Sequence, residues 1–204
     1  MTETTVDPME DWARRPFARF VAGCADPRGG PAAGSGSAAA AAVGCGLVSM
    51  ALRLTAGERA NASTQAPYLA GRADEVDAIR AQLVDLVDED QRAYDRWRAL
   101  VREGAAEDKV QKARDEVLEI PFEILERAVF ALRLAAISAE EVEGPWVSEL
   151  RAGAALLAGA HRAGRVVFEA NLDAFEVADG DVRRGELGVL AGATEQALGA
   201  LGLG

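Results

Sequence analysis

Carboxylates supply most of the chemistry open to this chain. Asp85, Asp88, Glu89 and Asp90 fall close together in a stretch whose apolar residues recur at three- and four-residue steps. On a helix Asp85 and Glu89 share a face, where like charges repel unless they are solvated, so they read as a surface pair with Arg92 and Arg96 nearby. Asp90 differs, because it stands beside the apolar face of Ala93, Tyr94 and Trp97. A carboxylate there either belongs to the same solvated face or points into a pocket, where it could carry protons as a general acid or base. Glu149 is the second candidate, just after Gly144-Pro145 and Ser148. At a helix start it is either a capping acid on the helix dipole or an acid/base group offered to a cleft.

Other reactive types are sparse. His161 is the sole histidine, alone on an alanine-rich helix and expected to be partly buried or at the surface. Cys24 and Cys45 have no metal-type spacing and read as small buried hydrophobes, so no metal site is expected. Ser35 and Ser37 lack the context of a nucleophilic serine.

These candidates need elements to hold them. Pro31-Ala32-Ala33-Gly34-Ser35-Gly36-Ser37 runs straight into an alanine run from Ala38 to Ala42. The glycines allow close approach of other groups, and Ser35 or Ser37 would cap a helix starting at about Ser37. Its unpaired N–H groups and positive dipole end suit an anion or a polar ligand group. The plainer alternative is a linker into a tightly packed helix.

The apolar periodicity predicts six or so helices. They cover Glu10–Ala22, Ser37 to about Ala56, Tyr68 to about Arg102, Glu107 to about Ala139, Ser148 to about Phe175 and Glu186–Leu201. Gly23–Gly36, Glu58–Pro67, Val142–Val147 and Asp179–Gly185 read as loops. Pro121 lies inside the fourth helix, where it removes a backbone hydrogen bond. Half of the residues are hydrophobic but only 5% are aromatic, so alanine and leucine must build the core. The expected fold is all-α: one domain over residues 1–204 around an Ala/Gly-rich central helix, with residues 1–8 and 176–204 peripheral. Flat Ala/Gly faces suit a homodimer seam.

A net charge of −11 argues against nucleic acid or an anionic membrane as main partner. The acidic N-terminus lacks the apolar core of a signal peptide, and no run of about 20 bulky apolar residues is apparent. The expectation is a cytoplasmic protein with a small-molecule partner.

Taken in chain order, five segments carry a resemblance. They are Pro31–Ser37 with Arg53-Leu54-Thr55 at the following helix end, Asp88-Glu89-Asp90-Gln91-Arg92-Ala93-Tyr94, Ile120-Pro121-Phe122-Glu123, and Ser148-Glu149 through Asn171-Leu172. They resemble the cyclodeaminase/cyclohydrolase family, meaning the C-terminal domain of formiminotransferase-cyclodeaminase and the stand-alone methenyltetrahydrofolate cyclohydrolases. That family has a Pro-Thr-Pro-Gly-Gly-Gly-Ser loop, an Asp-Glu-Asp-Ala-x-Ala-Phe segment, a Val-Pro-Leu-Glu step and a Ser-Asp helix start. The resemblance implies an all-α dimer with a pterin-folate site beside the glycine stretch. It implies hydration of methenyl-folate or ammonia elimination from formimino-folate, without metal or cofactor. Glu149 and Asp90 would then be the acid/base groups, Gly34, Ser35, Gly36 and Ser37 the site wall, and Asn171 a polar contact.

Some positions depart from the family pattern. Ser35 replaces a glycine, so a ligand would meet its side chain; Glu149 replaces an aspartate; Val167 and Glu169 stand for an asparagine and an arginine. These changes keep two other readings open: the same fold recruited to cyclisation, elimination or hydration of a non-folate amine or imine, and a non-catalytic dimeric binding protein.

Overall fold

The computed structural model describes residues 16–59, 65–178 and 181–204. They form six helices: α1 (Phe17–Cys24), α2 (Ala33–Arg59), α3 (Ala66–Glu103), α4 (Glu107–Ile137), α5 (Trp146–Ala174) and α6 (Val182–Ala200). No strand occurs among the described residues, as an alanine- and leucine-built core predicts. Trp12 and the start of the first expected helix lie outside the described residues.

The central element is α2, which packs chiefly on α3 and α5. Ala38, Ala41, Cys45, Val48 and Leu52 are sealed in the core. Small side chains let α5 come to backbone contact. A Cβ placed on Gly44 would lie 2.8 Å from the Gly153 carbonyl oxygen, and one on Gly153 would lie 2.7 Å from that of Gly44. Across this seam Ser37 meets Gly164, Gly44 meets Gly153, and Trp146 Nε1 donates to Glu58 at 2.9 Å. The two helices therefore run antiparallel. The same rule holds for α3 on α2, where Ser35 meets Asp90 and Arg53 meets Asp74 and Asp77. It holds for α4 on α3, where Arg96 meets Glu116 and Arg72 meets Glu141. Helix α6 lies against α4 and closes a second cluster of Leu118, Leu125, Phe168, Leu172 and Leu187.

Several boundaries differ from the sequence-based expectation. Helix α2 begins at Ala33, so Gly34, Ser35, Gly36 and Ser37 are its first turns and not a loop. Neither serine is the N-cap; Ser37 Oγ donates back to the Ala33 carbonyl at 2.8 Å. Helix α6 begins at Val182 because Asp181 caps it, accepting from the Arg183 N–H at 2.9 Å. Cys24 is exposed, contrary to its expected burial, whereas Cys45 is buried and its thiol is pushed up to about 12 by desolvation.

By length and composition alone, Ala33–Glu58 is apolar enough to cross a membrane, with a mean hydropathy of 1.6, which corrects the expectation that no stretch is. In the fold 56% of that window is buried inside the protein, as a central helix requires.

Candidate functional site

The pocket at the N-terminal end of α2 is made by four segments. Ala32 and Gly34 come from the start of α2, Asp90, Gln91, Ala93 and Tyr94 from α3, Val117, Ile120 and Pro121 from α4, and Val167 and Asn171 from α5. It encloses about 230 Å³. Asp90 is its sole formal charge among these lining residues. The apolar face of Ala93 and Tyr94 is thus where the sequence pattern puts it, with Asp90 beside it facing the cavity.

Asp90 is held by α2 across the helix–helix seam. Its Oδ2 accepts from the Ser35 N–H at 2.9 Å and from Ser35 Oγ at 3.0 Å. The Ser35 N–H lies in the first turn of α2 and so has no intrahelical acceptor. A carboxylate from α3 satisfies it and faces the positive end of the α2 dipole. This tertiary cap is the physical reason that the helix extends through the glycines. Gly34 must be glycine for the same geometry: a Cβ there would lie 2.6 Å from Asp90 Cγ and 2.7 Å from its Oδ2.

Ser35 is fully buried, and its hydroxyl is spent on Asp90. It does not present a side chain to the cavity, which corrects the expectation that a ligand would meet it. Burial raises the Asp90 pKa above the ordinary carboxylate value, and the two Ser35 hydrogen bonds oppose that rise. A carboxyl raised towards the working range, with its second oxygen free of partners among the described residues, is a competent proton carrier.

On the opposite wall, Pro121 lies buried inside α4, which continues through it to Ile137. Proline has no N–H, so the carbonyl of Val117 one turn earlier loses its helical donor. The Asn171 side-chain amide reaches that carbonyl at 3.5 Å. Two residues that looked unrelated in the sequence, a helix-interior proline and an asparagine in α5, thus meet at one carbonyl in the pocket. The Val117 contribution was missed, and the available signal was Pro121 four residues later.

The other named residues fall elsewhere. Glu149 lies in the first turn of α5. Asn171 is near the other end of that helix, roughly 33 Å away along the axis at 1.5 Å per residue. Within one chain Glu149 and Asp90 do not share a site. Gly36 and Ser37 line a neighbouring shallow groove with Ala155, Leu156 and Gly159. Asp85 and Glu89 are exposed, as expected of a solvated face. His161 is buried between α5 and α6, with Nδ1 3.1 Å from Thr194 Oγ1. Thr194 Oγ1 donates to the Leu190 carbonyl, so the imidazole Nδ1–H is the donor to Thr194. Among the described residues no group of three or more His, Cys, Asp or Glu could hold a metal ion.

The architecture is that of an antiparallel all-α domain whose pocket opens where its central helix begins. More particularly, the chain belongs to the formiminotransferase-cyclodeaminase family, whose model matches residues 16–183. The crystal structure of formiminotetrahydrofolate cyclodeaminase from Thermotoga maritima is similar to it, with a TM-score of 0.81. The match covers 92% of this chain and 94% of that chain at 18% sequence identity, a likeness of fold. Comparison with curated protein sequences finds no match.

Proposed function

We propose that this chain is a small-molecule enzyme of the cyclodeaminase/cyclohydrolase type, acting on a folate one-carbon adduct with Asp90 as its acid/base group. The observation that carries the proposal is the Asp90 carboxylate: partly desolvated, tied by Oδ2 to the first turn of α2, and part of the lining of a cavity. Family membership supports the substrate class.

In the hydration reaction, a water oxygen bonds to the amidinium carbon of methenyl-folate. The carbon–nitrogen π pair returns to nitrogen, and a water proton passes to Asp90. In the deamination reaction, the folate amine attacks the formimino carbon, Asp90 takes the amine's proton, and ammonia leaves with it. A carboxylate whose pKa is raised towards neutrality serves both steps.

The proposal includes a homodimer. Phe17, Val21, Val43 and Leu156 are exposed and line one apolar groove of about 510 Å³ formed by α1, α2, α3 and α5. A second copy would cover it. Glu149 keeps an acid/base role only if that copy brings it to the Asp90 pocket. Mixing Asp90→Asn and Glu149→Gln subunits tests this: recovered activity in the mixed dimer supports a shared site, and none removes Glu149 from the chemistry.

The direct test of the function is turnover of methenyl-folate, followed by loss of its near-UV absorbance, and release of ammonia from formimino-folate. Asp90→Asn should abolish whichever activity is found. Absence of both activities in purified wild-type protein overturns the folate reading and leaves the two others, a non-folate amine or imine as substrate or a non-catalytic binding protein.

A further inference from the structure

Asp90 Oδ2 takes two hydrogen bonds from one residue, the Ser35 N–H at 2.9 Å and Ser35 Oγ at 3.0 Å. The two donors are not equivalent. Any residue but proline at the start of α2 would supply the N–H, whereas the hydroxyl comes only with the side chain found here. Other buried hydroxyls in this fold take a local acceptor: those of Ser37, Thr55, Ser138 and Thr194 each donate to the carbonyl four residues back. The fully buried Ser35 hydroxyl crosses to α3 instead. Asp90 Oδ1 has no partner among the described residues and lies against Gly34, where a Cβ would stand 2.2 Å from it.

No cation answers the Asp90 charge among the residues that line its pocket. The start of α2, α4 and α5 bring no ionisable side chain to that lining, and α3 adds only the Tyr94 phenol. Burial raises the Asp90 pKa, and what opposes the rise is the Ser35 hydroxyl first and the Ser35 N–H second.

We propose that Ser35 is a positioning residue for the acid/base chemistry: as the second donor on Oδ2, its hydroxyl fixes the plane of the Asp90 carboxylate, leaves Oδ1 as the atom that exchanges a proton, and extends turnover to lower pH than the backbone N–H alone would allow. One hydrogen bond to Oδ2 leaves the carboxylate free to rock about it, and a second from another direction removes that freedom. A donor to the ionised form also favours that form, and hydrogen bonds to a charged acceptor are the stronger kind. In both reactions proposed above Asp90 takes up a proton, so the rate falls where Asp90 is already protonated. Losing the hydroxyl raises the Asp90 pKa, and the acid limit of turnover moves up with it. This inference rests on Asp90 as the acid/base group and says what the side chain at position 35 does for it.

The test titrates the Asp90 side-chain carboxyl by carbon NMR in the full chain, its signal assigned by its loss in Asp90→Asn. Ser35→Ala and Ser35→Gly both keep the backbone N–H and should raise the Asp90 midpoint by about one pH unit. Ser37→Ala removes a neighbouring buried hydroxyl that is spent on the Ala33 carbonyl, and should leave the midpoint where it is. The acid limit of kcat/KM, read on whichever folate activity is found, should move up with the midpoint in both Ser35 variants. A merely structural serine would lower the melting temperature and move neither.

An unmoved midpoint in both Ser35 variants, an equal shift in Ser37→Ala, or an acid limit that stays put while the midpoint moves each overturns the inference. The outcome separates from that of the functional reading, because the titration needs no substrate. Folate turnover with an unmoved midpoint sinks the inference alone, and a raised midpoint without folate turnover sinks the folate reading alone.

Discussion

Glu149 and Asp90 each put a carboxylate on the positive end of a helix, and they differ in where the carboxylate comes from. Glu149 sits in the first turn of α5 itself, part-exposed, at the end of the α2–α5 pair where Trp146 and Glu58 also meet. Asp90 comes from a different helix, reaches the first turn of α2 across a packed seam, and is largely desolvated there. The elementary attraction is the same in both. A carboxylate in its own helix can stay in water, and its capping is a local convenience. A carboxylate supplied by a neighbour must be buried to arrive, so its protonation equilibrium and its geometry become properties of the whole fold. That difference separates an ordinary cap from a candidate acid/base group.

The sharpest way to break the comparison is at Asp90. Asp90→Asn keeps an acceptor for the Ser35 N–H, so circular dichroism should change little while turnover falls about 10²- to 10⁴-fold, the usual worth of a positioned acid/base group. A fully active Asp90→Asn would reduce Asp90 to a buried cap. Gly34→Ala should come close behind it, since the new Cβ collides with the Asp90 carboxylate and must displace it from Ser35. Steady-state kinetics should show the loss in kcat.

Next is the glycine crossing that sets the α2–α5 distance. Gly153→Ala puts a Cβ 2.7 Å from the Gly44 carbonyl and 2.8 Å from Val48 Cγ2. Overpacking of this kind costs about 1–3 kcal/mol, readable as a lower denaturant midpoint. His161 should make the fold acid-sensitive. Burial, with Arg165 and Arg162 beside it, lowers its pKa, and Glu195 opposes that only in part. The unfolded chain therefore takes up a proton near pH 6.5 that the folded chain refuses, and stability falls as pH drops below about 6.5 towards the folded pKa. The added sensitivity should vanish in His161→Leu, compared by urea titration at pH 7 and pH 5.

The smallest effect is expected at Glu149: about 0.3–1 kcal/mol of stability for Glu149→Gln if it is only a dipole cap. An activity loss matching that of Asp90→Asn would instead join the two carboxylates in one site across a dimer.

The fold was largely legible because helical periodicity and composition are local signals. Leu83, Leu86 and Val87, or Leu150, Leu157 and Phe168, recur at helical spacing and are buried as that spacing requires. The beginning of α2 was not legible. Gly34-Ser35-Gly36 reads as a helix breaker, and what makes it helical is an acceptor that lies 55 residues away in the chain. The start of α6 had a visible cap in Asp181, but Gly185 argued for a longer loop.

Asp90, Gly34 and Asn171 line one pocket, whereas Glu149 is placed by its helix at the far end. The Val117 carbonyl could only be found by asking where the hydrogen bond lost at Pro121 had gone.

The double engagement of Asp90 also bears on how such a protein can change over time. A mutation that removes this side chain altogether takes the acceptor from the first turn of the central helix along with the proton carrier. A lineage drifting to a new reaction could shed the acid only by keeping an acceptor there, as an asparagine would, or by building a replacement anchor for α2. Substitutions at Ile120, Tyr94 or Val167 carry no such toll, because those side chains line the cavity without holding a helix end. Novelty in this architecture should therefore accumulate first in the walls, with the old acid kept as a structural heirloom beneath a changed substrate.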